Sequence, residues 1–146
     1  MTDSVKFTIP GPAVPQMGSR VSVRGGKPRL RKNPRTKEYQ DRVAAIARQH
    51  APPEPWDGPV DMTILISRGP LMSWSKWRRE AAFKGKVRPT TRPDLDNISK
   101  AIGDALNGII YTDDSRICLL TIAKRYAAKA EVEVRVTQMG TEGLDK

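Results

Sequence analysis

The chain has 146 residues, enough for one hydrophobic core but short for two, and hydrophobic residues make up 38% of it. Its 26 Lys and Arg outnumber 16 Asp and Glu, and the net charge of +10 exceeds what solubility needs, which points to a polyanionic partner. No apolar run is as long as a membrane span, the start lacks a secretory signal, and the single Cys118 excludes an internal disulfide and a cysteine-built zinc site, so a cytoplasmic protein without membrane association is expected.

Residues 5–9 alternate apolar and polar as a half-buried first strand, which Pro10, Gly11 and Pro12 end. Residues 11–35 are rich in Pro, Gly and Arg with no helical period, and predict a long basic loop, partly mobile without a ligand. Its cations are Arg20, Arg24, Lys27, Arg29, Arg31, Lys32 and Arg35, with Lys37 just beyond and no acid among them. Thr36 is the predicted N-cap of a first helix, with Tyr39, Val43, Ile46 and Ala47 on one face and Pro52-Pro53 as its stop. Val60, Met62, Ile64 and Ile66 alternate along a second strand.

Ser73 is the predicted cap of a short helix carrying Trp74, Trp77 and Ala81 on one side. Two tryptophans beside arginines also suit base stacking, but their spacing favours packing against the core. A second basic run spans this region, with Lys76, Arg78, Arg79, Lys84, Lys86, Arg88 and Arg92 against Glu80 alone. One charge run is ordinarily a solvated face; two in a small domain point to nucleic acid. Residues 117–126 and 131–136 predict two closing strands joined as a hairpin by Ala127-Ala128-Lys129, with Cys118 as core filler and residues 140–146 as a frayed tail. The predicted fold is a single α/β (α+β) domain over residues 1–146, a mixed sheet of about four strands packed with helices.

Against this basic background residues 94–114 hold five acids, all Asp, and one base, Lys100. Leu95, Ile98, Ile102, Ala105 and Leu106 follow the spacing of a buried helical stripe, and Asn107-Gly108 is a C-terminal stop, so residues of about 94–107 predict an amphipathic helix. Asp94 and Asp96 sit about 200° apart inside a regular helix, so Asp94 must lie at or before the N-cap to share a rim with Asp96. Such a pair suits a hard cation, and Asp113-Asp114 can return a third carboxylate to the same rim. Taken singly, each motif also reads as a cap, a turn or part of a surface charge ladder through Lys100. Haloacid-type phosphatases share the Asp-x-Asp pair, but there it follows a buried apolar strand, and residues 86–92 are polar. His50, the only histidine, lies far from these acids in sequence and is disfavoured as a general base.

Pro93-Asp94-Leu95-Asp96-Asn97, Lys100, Asp104-Ala105-Leu106-Asn107-Gly108 and Asp113-Asp114 together resemble the RusA family of Holliday junction resolvases, in particular its phage-type members. Ile9-Pro10-Gly11-Pro12 extends a weaker likeness to the start of the chain. The resemblance implies a homodimer that binds branched DNA in the form of four-way junctions by structure and makes paired nicks in DNA recombination and repair. It implies Mg²⁺, with Mn²⁺ as a substitute, held by Asp94, Asp96 and Asp114 with Asp113 as a further candidate, and Lys100 neutralising charge at the scissile phosphate. Arg116 stands where the family often has Gln, which bears on substrate preference. The alternatives are a nuclease of broader habit on flaps and forks, or a non-catalytic DNA-binding accessory protein.

Overall fold

In the computed structural model, which describes residues 3–18, 20–31 and 33–140, a four-stranded mixed sheet is built from β1 (Ser4–Pro10), β4 (Val60–Arg68), β5 (Ile117–Tyr126) and β6 (Glu131–Gln138). The strand order is β1-β6-β4-β5. β6 is antiparallel to both β1 and β4, while β4 and β5 run parallel. Two of the helices, α1 (Pro34–Arg48) and α3 (Leu95–Ala105), lie on one face of this sheet, and α2 (Lys76–Phe83) sits beside β5. This is the mixed α/β domain that the alternating patterns predict.

The period-2 pattern decides which sheet face is covered. Phe7 and Ile9 of β1, Met62, Ile64 and Ile66 of β4, and Val132, Val134 and Val136 of β6 are all buried. They meet Val43 and Ala47 of α1 and Ile98 and Ile102 of α3, with Leu106, Ile110 and Tyr111 closing the end of the core. The opposite face carries Lys6, Thr8, Thr63, Arg135 and Thr121, all exposed.

Several expectations need correction. Residues 20–31 form a two-stranded ribbon, β2 (Arg20–Arg24) and β3 (Lys27–Arg31), not an irregular loop. Gly25 and Gly26 have φ of +60° and +77°, the backbone that a tight hairpin turn demands and that glycine adopts without steric cost. The cap of α1 is Asn33, whose side chain accepts from the Arg35 amide, with Pro34 preset for the first helical position. Thr36 is buried inside the helix instead, its hydroxyl donating to the Pro15 carbonyl and accepting from the Met17 amide. Ser75, not Ser73, caps α2.

The two last strands are not hairpin neighbours, because β4 lies between them and the four-residue link crosses its end, where the Ala127 amide donates to the Arg68 carbonyl. Cys118 is exposed rather than core, since β5 is an edge strand paired on one side only. Trp77 is exposed too, while Trp74 is half-buried. Lys32 and residues 141–146, the predicted tail beyond Gly140, lie outside the described residues.

Candidate functional site

The segment leading into α3 is held from below by two cations of the sheet. Lys124 of β5 falls on the helix-covered face, and its ammonium donates to the carbonyls of Thr91 and Pro93 at 2.9 and 3.4 Å. Arg68 of β4 donates to the Thr91 hydroxyl and the Arg92 carbonyl. On the other flank the Gln16 amide donates to the Asn97 carbonyl, and Gln40 of α1 donates to the Ala101 carbonyl at 2.9 Å. The start of α3 is therefore fixed by partners from β4, β5, α1 and the residues before the hairpin.

Asp94 sits at the N-cap in extended conformation, φ −77° and ψ 143°, and its side chain makes no capping hydrogen bond. An aspartate whose role was capping would accept from an amide of the first turn. Asp94 instead lines an open cleft of about 610 Å³ together with Arg35, Arg92, Gln16, Met17 and Asn97. Asp96 lies in the first turn and is exposed. Lys100, one turn further, is exposed and makes no salt bridge among the described residues. Both carboxylates also benefit from the positive end of the helix dipole.

The second acidic pair is clamped differently. Asp113 caps the short 3₁₀ turn Asp114–Arg116, accepting from the Ser115 amide at 3.0 Å. Hydrogen bonds from Ser115, then the Arg116 guanidinium, hold its carboxyl below the usual carboxylate range. Arg116 also donates to the carbonyl and carboxylate of Asp57, and the Thr112 hydroxyl donates to that carboxylate at 2.8 Å. Thr112 and then Arg116 lower the Asp57 carboxyl likewise. Trp56 completes the clamp, its amide donating to the Ile110 carbonyl and its carbonyl accepting from the Thr112 amide. Asp57, Arg68 and Lys124 were not among the residues singled out from the sequence; a lysine interrupting the apolar side of β5 was the one local signal.

Tyr111 relates this turn to α3. Its buried hydroxyl donates to the Gly103 carbonyl at 2.7 Å, and burial first, then the charges of Asp114, Asp104 and Asp113, push its pKa far up. Asp113 and Asp114 thus act on a group anchored nine residues along α3 from Asp94, roughly 13 Å of helix. Among the described residues no three His, Cys, Asp or Glu side chains gather closely enough to hold a metal ion. The oxygen-only donors of Asp94 and Asp96 nevertheless suit a hard divalent cation that keeps water or phosphate in its remaining positions.

Of the predicted DNA-binding cations, Arg35 and Arg92 share the cleft with Asp94. Arg35, Lys76, Arg78, Lys84, Lys86, Arg88 and Arg92 are exposed, and Arg79 is half-buried. Arg20, Arg24, Lys27, Arg29 and Arg31 all lie within the β2–β3 ribbon, where Lys27 is exposed.

Residues 10–137 match the family described as endodeoxyribonuclease RusA. The chain belongs to the RusA endodeoxyribonuclease family. The RusA match includes β1's last residue, the ribbon, all three helices, both acidic pairs and nearly all of β6. A protein of Bacillus subtilis (strain 168), YqaN, itself uncharacterized, is 41% identical over 140 residues, covering 94% of this chain and 98% of its own length. RusA enzymes are Holliday junction resolvases that act on branched DNA and generally depend on a divalent metal. No helix among the described residues is long and apolar enough to cross a membrane.

Proposed function

We propose that this RusA-family chain is a Mg²⁺-dependent endonuclease that resolves four-way DNA junctions by paired nicks, with Asp94, Asp96 and Asp114 as metal-holding carboxylates. The observation that carries the reading is Asp94: an N-cap aspartate without a capping bond, beside a cleft walled by Arg35 and Arg92. Among the described residues no three such side chains already form a closed cluster, so on this reading the cation completes its shell with water and phosphate oxygens.

When bound, Mg²⁺ supplies charge stabilisation at the scissile phosphate and lowers the pKa of the attacking water. The chain's own residues do the positioning. Arg35 and Arg92 hold the DNA backbone against the cleft, and Lys100 neutralises charge on the phosphate being cut. The arginines and lysines of the ribbon and of residues 76–92 bind flanking phosphates, which gives affinity and orientation without reading sequence.

The test is a panel of labelled four-way junction, flap and linear duplex, each with Mg²⁺, with Mn²⁺ and with chelator. Paired nicks in the junction, metal-dependent and well above cutting of duplex, are expected. Equal cutting of flap and junction would favour the broader branched-DNA nuclease. Junction binding with no cleavage under any metal would leave a DNA-binding protein with structural aspartates.

A further inference from the structure

Large apolar side chains are exposed on and beside α2: Met72 is 84% exposed, Trp77 77%, Leu71 56% and Phe83 52%. Scattered surface hydrophobics are ordinary, but four within one short segment mark a contact surface. Within α2 only Ala81 and Ala82 are buried, so small side chains hold the helix to the body while its largest side chain faces solvent. Trp74, by contrast, is engaged: the Arg78 guanidinium lies 4.0 Å from its ring centre and Tyr126 meets it edge-on at 5.3 Å. Trp77 has no ring or cation partner among the described residues.

The charge around Trp77 is almost all of one sign. Lys76 and Arg78 flank it in sequence, and Lys84 and Lys86 line the shallow recess it shares with Glu80 and Ala81. Next to that recess is a cleft of about 430 Å³ with Lys84, Arg88 and Arg125 in its walls, together with Phe83 and Tyr126. A face for another protein has its charges depleted at the centre. An exposed indole inside a ring of cations is complementary to a polyanion that offers flat apolar faces, which is DNA with bases out of the stack.

We propose that Trp77 stacks on a base exposed at the branch point of the junction, with Lys76, Lys84, Lys86 and Arg88 holding the flanking phosphates. Continuous duplex hides its base faces in the stack, whereas the crossing of four arms interrupts stacking and leaves terminal faces to cover. The inference rests on the junction-endonuclease reading above and adds to it a residue that distinguishes branched from linear DNA.

Binding, rather than cleavage, tests it, in metal-free buffer with four-way junction and linear duplex. Trp77→Ala weakens junction binding about tenfold, the scale of one lost stacked base, with duplex affinity and the salt dependence unchanged because every phosphate-binding cation is kept. Trp77→Phe recovers most of the loss. A 2-aminopurine at the branch point changes fluorescence on binding the parent protein and not on binding Trp77→Ala. Unchanged junction affinity, an equal loss on duplex, or a shift of the sedimenting species from dimer to monomer in Trp77→Ala overturns the proposal, the last by making this face a contact between copies. A parent protein with no preference for junction sinks the underlying reading along with this one; a parent that keeps its preference beside an unaffected Trp77→Ala sinks this one alone.

Discussion

Asp94 and Asp96 can be separated into cap and ligand by a substitution that keeps one role and removes the other. Asn is nearly as good an N-cap as Asp and almost the same size, so Asp94→Asn and Asp96→Asn should melt within ~0.5 kcal/mol of the parent. Cleavage should fall about a hundredfold or more, the effect of losing roughly 3 kcal/mol of charge stabilisation, while junction binding persists or tightens. Asp114→Asn should do the same, whereas Asp104→Asn should cut close to normally. Cleavage rate, junction affinity and thermal melting for the four variants are the readout; normal cutting by Asp96→Asn and Asp114→Asn would remove the metal assignment. At this scale the α3 acids were legible because helix geometry alone forces Asp94 out of the helix. Lys124 and Asp57 were not, because their hydrogen bonds span 31 and 59 residues of sequence and depend on which strands become neighbours.

The β2–β3 ribbon sets Arg20 opposite Arg31 and Arg24 opposite Lys27. A segment this rich in Arg and Lys and free of acid is the part of the chain whose proposed role in phosphate binding a charge-removal test addresses most directly. Replacing Arg29, Arg31 and Lys32 by Ala should weaken binding to junction and duplex alike. It should also flatten the plot of log affinity against log salt by about 3, near one unit for each phosphate no longer neutralised. A variant whose salt slope matches the parent's would remove the ribbon from the DNA interface. The ribbon escaped the sequence reading because Pro, Gly and Arg dominate its composition, although Val21 and Val23 alternate and Gly25-Gly26 is a recognised hairpin signal. The bounds of β5 are legible in its sequence, and its surroundings are not. Its apolar start, Cys118-Leu119-Leu120, reads as interior, yet Leu119 and Leu120 are 50% and 43% exposed because the strand has a neighbour on one side only. Edge position is a property of topology, and periodicity does not encode it.

For the whole molecule, substrate symmetry sets the expectation. A four-way junction offers two equivalent strands, and a two-fold dimer would present one site to each, so the protein should sediment as a dimer and both nicks should appear within one binding event. A stable monomer that still makes paired cuts at low concentration would overturn this. The charge imbalance and the class of fold were legible from composition and periodicity. Strand order was not, since Glu131–Gln138 suits a place beside β5 as well as one beside β4, and only the packed sheet distinguishes them.

The parallel pairing of β4 with β5 has a consequence for how the chain folds. Antiparallel strands can close on a few residues, but these two are joined by residues 69–116, which contain α2, α3 and both acidic pairs. Every residue assigned to hold metal therefore lies within the connection that the sheet must wait for. Closing so long a loop carries an entropic penalty before the strand pairing repays it, so the β4–β5 pairing should form late and slowly. The connection that carries the proposed metal carboxylates is thus the same one whose closure completes the edge of the sheet.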